Sequence, residues 1–205
     1  MVDTATAPSG NAWTRLANSN PIMEFIDVTL RGSGQVIFMD NPLTGLLNFV
    51  AMFVGAARGG TSFEVAIGSV IGTMVSTAMA YLLKANRGNL KAGIYGFNGM
   101  LVGACLPTFL AANPLMWLFL VVGSAVSTIV IMAVANFLAP YKMPAFTFPF
   151  VLTCWLIVLY AKKITGLPPS AGGPLPEGGF NFITAGLNSV SQVWFVADWV
   201  AGIIF

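Results

Sequence analysis

Histidine is absent from this chain of 205 residues. That removes the commonest general base and the commonest metal ligand. Charge is scarce: Asp, Glu, Lys and Arg make up 8% of the residues, against about a quarter in an ordinary soluble domain. Only two cysteines are present, Cys105 and Cys154, both inside apolar runs. They read as small buried hydrophobes and not as a disulfide. No nucleophile–base spacing and no cluster of metal ligands is evident, so neither an enzyme nor a cofactor is expected. The net charge of +2 comes from loop residues and does not point to nucleic acid. Residues 1–20 are polar and lack the apolar core of a cleavable signal peptide.

What the chain has is hydrophobicity. Apolar residues make up 57% of it, and the mean hydropathy is +0.82. Five apolar runs, at 43–57, 61–83, 92–112, 115–139 and 144–161, approach or exceed the ~20 residues that span a bilayer. The expected fold is all-α and polytopic, in contact with the lipid bilayer. Arg15, Arg31, Lys84, Arg87, Lys91 and Lys142 fall on one side of this layout, and Arg58, Lys162 and Lys163 on the other. The excess of basic residues places the N-terminus inside.

The run GIYGFNGMLVGACLPTF at 93–109 is apolar, yet it carries four glycines, Asn98 and Pro107. A lipid-facing anchor needs none of these. Small residues let helix backbones approach closely, and a buried amide must find a partner. Asn98 is expected to bond a neighbouring helix, with contact to a solute as the alternative. The pairs Gly68/Gly72 and Gly99/Gly103 fit the small-xxx-small packing pattern. Glu64, near the start of the second run, is expected to cap a helix or to pair with Arg58.

Residues 1–20 read as a polar tail. The segment PIMEFIDVTLRGSGQVIF at 21–38 reads as a helix of about ten residues, started by Pro21 and ended by Gly32 or Gly34. Alone, it fits a half-membrane helix or an interfacial one equally well. A repeat shifts the balance to the first. LRGSGQVIFMDNPLTG at 30–45 recurs as LNSVSQVWFVADWVAG at 187–202, aligning Gln35 with Gln192, Val36 with Val193, Phe38 with Phe195 and Gly45 with Gly202 at a constant offset of 157. Between the copies lies a linker rich in Pro and Gly at 165–180. Five spans per copy would insert the second copy upside down, the plan of many transport proteins. Residues 21–164 then form the first repeat and 181–205 the opening of a second, and the chain is expected to be a fragment of a longer one; a half-size protein pairing with a second copy is the alternative.

The spanning runs hold almost no ionisable group, so any solute is expected to be neutral and its passage uncoupled. The remaining polar groups are amides, hydroxyls and helix-end carbonyls, which accept hydrogen bonds from N–H donors. Gln35, Gln192 and Thr147 supply some, and Phe38, Phe97 and Phe195 supply flat walls. From the residues alone, the solute stays open among small neutral molecules.

Four motifs narrow it. GFNGMLVG at 96–103, LRGSGQV at 30–36, NPLTGLL at 41–47 and PAFTFPFVL at 144–152 resemble the urea transporter family, in the family's order. The resemblance implies two inverted halves, each of five spans and a re-entrant half-helix, assembled as homotrimers in a cell membrane, inner or plasma. It implies passive movement of urea through one slot per protomer. It also implies site residues. Gln35 and Val36 would offer a side-chain amide and a carbonyl, and Phe38 and Phe97 would form walls. Leu101 would line the constriction, and Thr147 would place a hydroxyl midway. Gln192, Val193 and Phe195 would mirror the first three. The family often has a carboxylate at one of the two glutamine positions, and here both are glutamine. On this view the 205 residues alone would not conduct urea. Another small neutral amide, ammonia, or a half-size non-conducting subunit are the alternatives.

Overall fold

The computed structural model describes residues 12–170 and 181–205. Most of the expected polar tail and most of the linker therefore lie outside the described residues. The described chain is helical, with one isolated bridge between Leu110 and Pro169 and no strand. Ten α-helices follow in order: α1 Ala12–Ala17, α2 Pro21–Gly34, α3 Pro42–Ala57, α4 Phe63–Leu82, α5 Arg87–Lys91, α6 Phe97–Phe109, α7 Pro114–Leu138, α8 Phe148–Tyr160, α9 Phe182–Ser191 and α10 Trp199–Ile204.

Their starts are written in the sequence. Asn20-Pro21, Asn41-Pro42 and Asn113-Pro114 each put an asparagine at the N-cap and a proline in the first turn. The Asn oxygen accepts from Met23, Leu43 and Met116 respectively, at 2.8–2.9 Å. Proline there costs nothing, because its missing N–H would have had no helical partner. Ser62 caps α4, with Glu64 in the first turn. Arg58 does not pair with Glu64; it reaches Asp198, the cap of α10, at 2.9 Å.

Two helices, Phe63–Leu82 and Pro114–Tyr141 counting its final 3-10 turn, are long and apolar enough to cross a membrane. A third span is formed if Pro21–Ile37 and Pro42–Ala57, bent by 75°, count as one. The run at 92–112 does not give a helix long enough to cross a membrane. Only α6 forms there, 13 residues and so about 20 Å long, against the ~30 Å of a bilayer core. Turns occupy 92–96, and beyond the helix Ala111 N–H donates to Pro168 O. Every residue of α6 from Phe97 to Pro107 is buried, so these eleven residues pack inside the protein, and only the end of the helix, at Phe109, is exposed. The run at 144–161 likewise starts its helix late, at Phe148, and continues as a π turn through Thr165.

The glycine pairs set the closest contact. A Cβ on Gly68 would strike Gly103 O, and one on Gly103 would strike Gly68 O. Gly72 and Gly99 oppose each other's carbonyls in the same way. Residue numbers run in opposite directions along this seam, so α4 and α6 cross antiparallel with their backbones touching. Ser76 at this seam also reaches α7: its Oγ donates to Ser124 O at 2.7 Å, and Thr128 Oγ1 donates to Ser76 O at 3.1 Å.

The end of α2 differs from the reading of the sequence. Gly32 and Gly34 do not stop it. The helix runs through both, tightens into a 3-10 turn over Gln35–Ile37, and ends at Phe38, which is left-handed at φ 60°. The glycines serve close approach instead: a Cβ on Gly32 would meet Gly96 Cα at 3.0 Å, and one on Gly34 would meet Met39 O at 2.5 Å. Part of the expected tail is folded too. In α1, Trp13 Nε1 donates to Asp27 of α2 at 2.6 Å.

Candidate functional site

The repeat seen in the sequence is also a repeat of backbone geometry. In the first copy α2 leads into Gln35–Ile37, Phe38 N–H donates to Gln35 O at 3.0 Å, and Met39 N–H donates to Gly34 O at 3.1 Å. In the second, α9 leads into the 3-10 turn Gln192–Trp194, Phe195 N–H donates to Gln192 O at 3.0 Å, and Val196 N–H donates to Ser191 O at 3.2 Å. Asn41 and Asp198 then cap the next helix. A Cβ on Gly45 would strike Leu30 O, and one on Gly202 would strike Leu187 O. Each unit thus folds back on itself through one glycine. The second unit docks on the C-terminal end of α3, where Ala197 N–H donates to Gly60 O at 2.7 Å.

Each turn ends in a phenylalanine with positive φ: 60° at Phe38 and 62° at Phe195. A third, Phe146, stands at 46° before α8. Left-handed backbone costs a non-glycine residue roughly 1–2 kcal/mol. Such strain clusters where a side chain must point in one direction. These rings pair with others. Phe38 and Phe146 meet edge to face at 5.6 Å; Phe195 meets Phe109 at 6.0 Å and Phe150 at 6.2 Å, both edge to face. Arg31 fixes the Phe38 turn, bonding Asp27 in its own helix at 2.7 Å and Asp40 beyond the turn at 2.6 Å.

Two cavities lie at opposite ends of α6. A cleft of about 550 Å³ at its N-terminal end is lined by Gln35, Phe38, Phe97 and Phe146, with Asn86, Asn89, Tyr95 and Asn136 as further polar groups and no charged side chain. A cavity of about 360 Å³ at its C-terminal half is lined by Cys105, Phe109, Phe150, Val151, Cys154 and Phe195, and is almost wholly apolar. The residues Phe97, Leu101, Cys105 and Phe109 recur every four positions, so they lie along one stripe of α6. Phe97 faces the cleft, Cys105 and Phe109 face the cavity, and Leu101, 3% exposed, stands between. The segment entering α8 repeats that order. Phe146 lines the cleft, Phe150 lines the cavity, and half-buried Thr147 lies between.

The expected site residues therefore divide. Gln35, Phe38 and Phe97 share the cleft, and Gln35 Nε2 donates to Ala92 O at 2.8 Å, which leaves Oε1 as its acceptor. Phe195 lines the other cavity. Val36 is buried in the core at the turn. Gln192 and Val193 are exposed and line neither cavity. Sequence reading missed Phe146, Phe109 and Phe150. Their only signal was position: Phe146 adjoins Thr147, and Phe109 falls on the four-residue stripe.

Residues 26–205 match the urea transporter family. The chain belongs to the urea transporter family. Among curated relatives, it is 34% identical over 131 residues to urea transporter 1 of Ovis aries, covering 62% of this chain and 33% of the relative. It is 33% identical over 132 residues to urea transporter 1 of Mus musculus, covering 63% and 33%. The match thus spans about a third of the length of these relatives. A urea transporter family member with apolar helices of this length is an integral membrane protein, and its family is one of transporters, not enzymes.

Proposed function

We propose that this chain forms one face of a passive route for urea across a cell membrane. The route runs along α6 from the cleft, past Leu101 and Thr147, into the apolar cavity. The observation that carries this reading is the shared order of the two segments: cleft-lining Phe, then the intervening residue, then cavity-lining groups, on α6 and again entering α8. Urea is flat, uncharged and rich in N–H. The cleft matches it with uncharged amides, while aromatic rings at both ends restrict thickness. With no charge at either cavity, ions have no compensation for lost hydration. Gln192 and Val193 would line the same slot once a second set of elements, from an inverted repeat or another copy, packs over them. Trimeric assembly belongs to the same proposal.

Removal of the Thr147 hydroxyl tests the route. Thr147→Val should slow urea about tenfold, the worth of one hydrogen bond lost at the barrier, with assembly unchanged. Stopped-flow permeability of proteoliposomes holding the full-length gene product measures it, and an unchanged rate would remove Thr147 from the path. Phe97→Ala removes a wall. Its expected effect is on selectivity: the permeability of thiourea and methylurea relative to urea should rise. An unchanged ratio across that series would mean that Phe97 is core and not wall.

A further inference from the structure

Asn98 is fully buried, on the helix that carries Phe97 and Leu101. Its Oδ1 accepts the Phe150 N–H at 2.9 Å, and its Nδ2 donates to the Phe146 carbonyl at 3.4 Å. These two groups flank Thr147 on either side. Thr147 stands at the N-cap of α8. A threonine there ordinarily turns its hydroxyl onto a free N–H in the first turn, commonly the third residue in, which here is Phe150. Thr147 makes no such bond, and its backbone, at φ −88° and ψ 1°, is not the extended form of the side-chain-capped starts. Asn98 has taken the donor from another helix.

We infer that Asn98 is a positioning residue that caps α8 in place of Thr147 and so leaves the Thr147 hydroxyl free for the solute. The inference rests on the proposed urea route. Asn98 itself does not meet the solute, because both its polar atoms are engaged and none of its surface is exposed. Through the Phe146 carbonyl it also steadies the left-handed turn whose ring packs against Phe38. When Asn98 is lost, the Thr147 backbone turns extended, its hydroxyl makes the ordinary capping bond, and that hydroxyl leaves the path.

The test combines urea flux with amide exchange in the full-length gene product. Asn98→Ala should lower urea permeability about tenfold, as Thr147→Val does, and the double variant should be no slower than either alone, because both remove the same hydroxyl. The Phe150 amide should exchange faster in Asn98→Ala and faster still in Asn98→Ala/Thr147→Val, where no cap remains. Asn98→Asp keeps the volume and an acceptor oxygen; it should hold Phe150 protection near native, and it carries the exchange test if the alanine variant does not fold. Multiplied flux losses in the double variant would overturn the inference, as would equal Phe150 exchange in Asn98→Ala with and without Thr147. If the native protein shows no urea flux, the transport reading fails, and the exchange comparison alone still decides the exchange of caps.

Discussion

Gly99→Leu should leave no folded protein. The position faces the Gly72 carbonyl and Ser76 Oγ of α4, and even a Cβ would collide with both. Neither obstacle is the free end of a flexible side chain. One is backbone, and Ser76 is held by its bond to Ser124 O. Relief therefore requires α4 and α6 to move apart along the whole seam, which also separates Gly68 from Gly103. Overpacking a core ordinarily costs about 1–3 kcal/mol; a rigid backbone collision places this change beyond about 4 kcal/mol, in the range that unfolds marginal proteins. Monodispersity in detergent and the thermal midpoint check it. A monodisperse Gly99→Leu protein with a native midpoint would mean that the seam is not close-packed. Gly59, by contrast, has open space around its Cβ position, though its φ of 80° still favours glycine.

Leu101→Trp should close the route while the fold persists. Leu101 lies between the two cavities, one turn from Phe97 and one from Cys105. Leu101 itself lines neither void, but its neighbours on the stripe, Phe97 and Cys105, do, so a larger ring is expected to extend toward one of them. The cleft and cavity, about 550 and 360 Å³, absorb volume that the close-packed α4–α6 seam cannot. A filled constriction excludes solute by dewetting and by size. Urea permeability should fall roughly a hundredfold, which is about 2.7 kcal/mol on the barrier. Near-native flux in a folded Leu101→Trp protein would place the route elsewhere.

Much of this was legible in the sequence because it rests on local chemistry. Pro21 announced the start of α2. The glycine pairs announced a close crossing, and the copied Gln-Val-x-Phe announced a copied unit, but the left-handed phenylalanine in each copy emerges only in the structure. Other features arise only from tertiary contact. Gly32 and Gly34 look like helix stops, yet their lack of a side chain serves close approach to Gly96 and Met39, while the stop falls on Phe38, a residue that backbone preference disfavours there. The run at 92–112 has the hydropathy of a span, but hydropathy does not distinguish a lipid-facing helix from a short one buried over most of its length, as α6 is. Asn98 was readable as a buried amide needing a partner. That its partners bracket Thr147 depended on where α8 begins, which four residues of irregular backbone from Pro144 to Thr147 decide.

The central claim is that urea crosses along α6. Its most direct test is stopped-flow urea permeability of proteoliposomes holding the full-length gene product, native and Leu101→Trp side by side. The account predicts urea flux well above that of protein-free liposomes, exclusion of ions, and near-complete loss of flux on the single substitution. Native flux no higher than the lipid background, or flux that survives in Leu101→Trp, would contradict it.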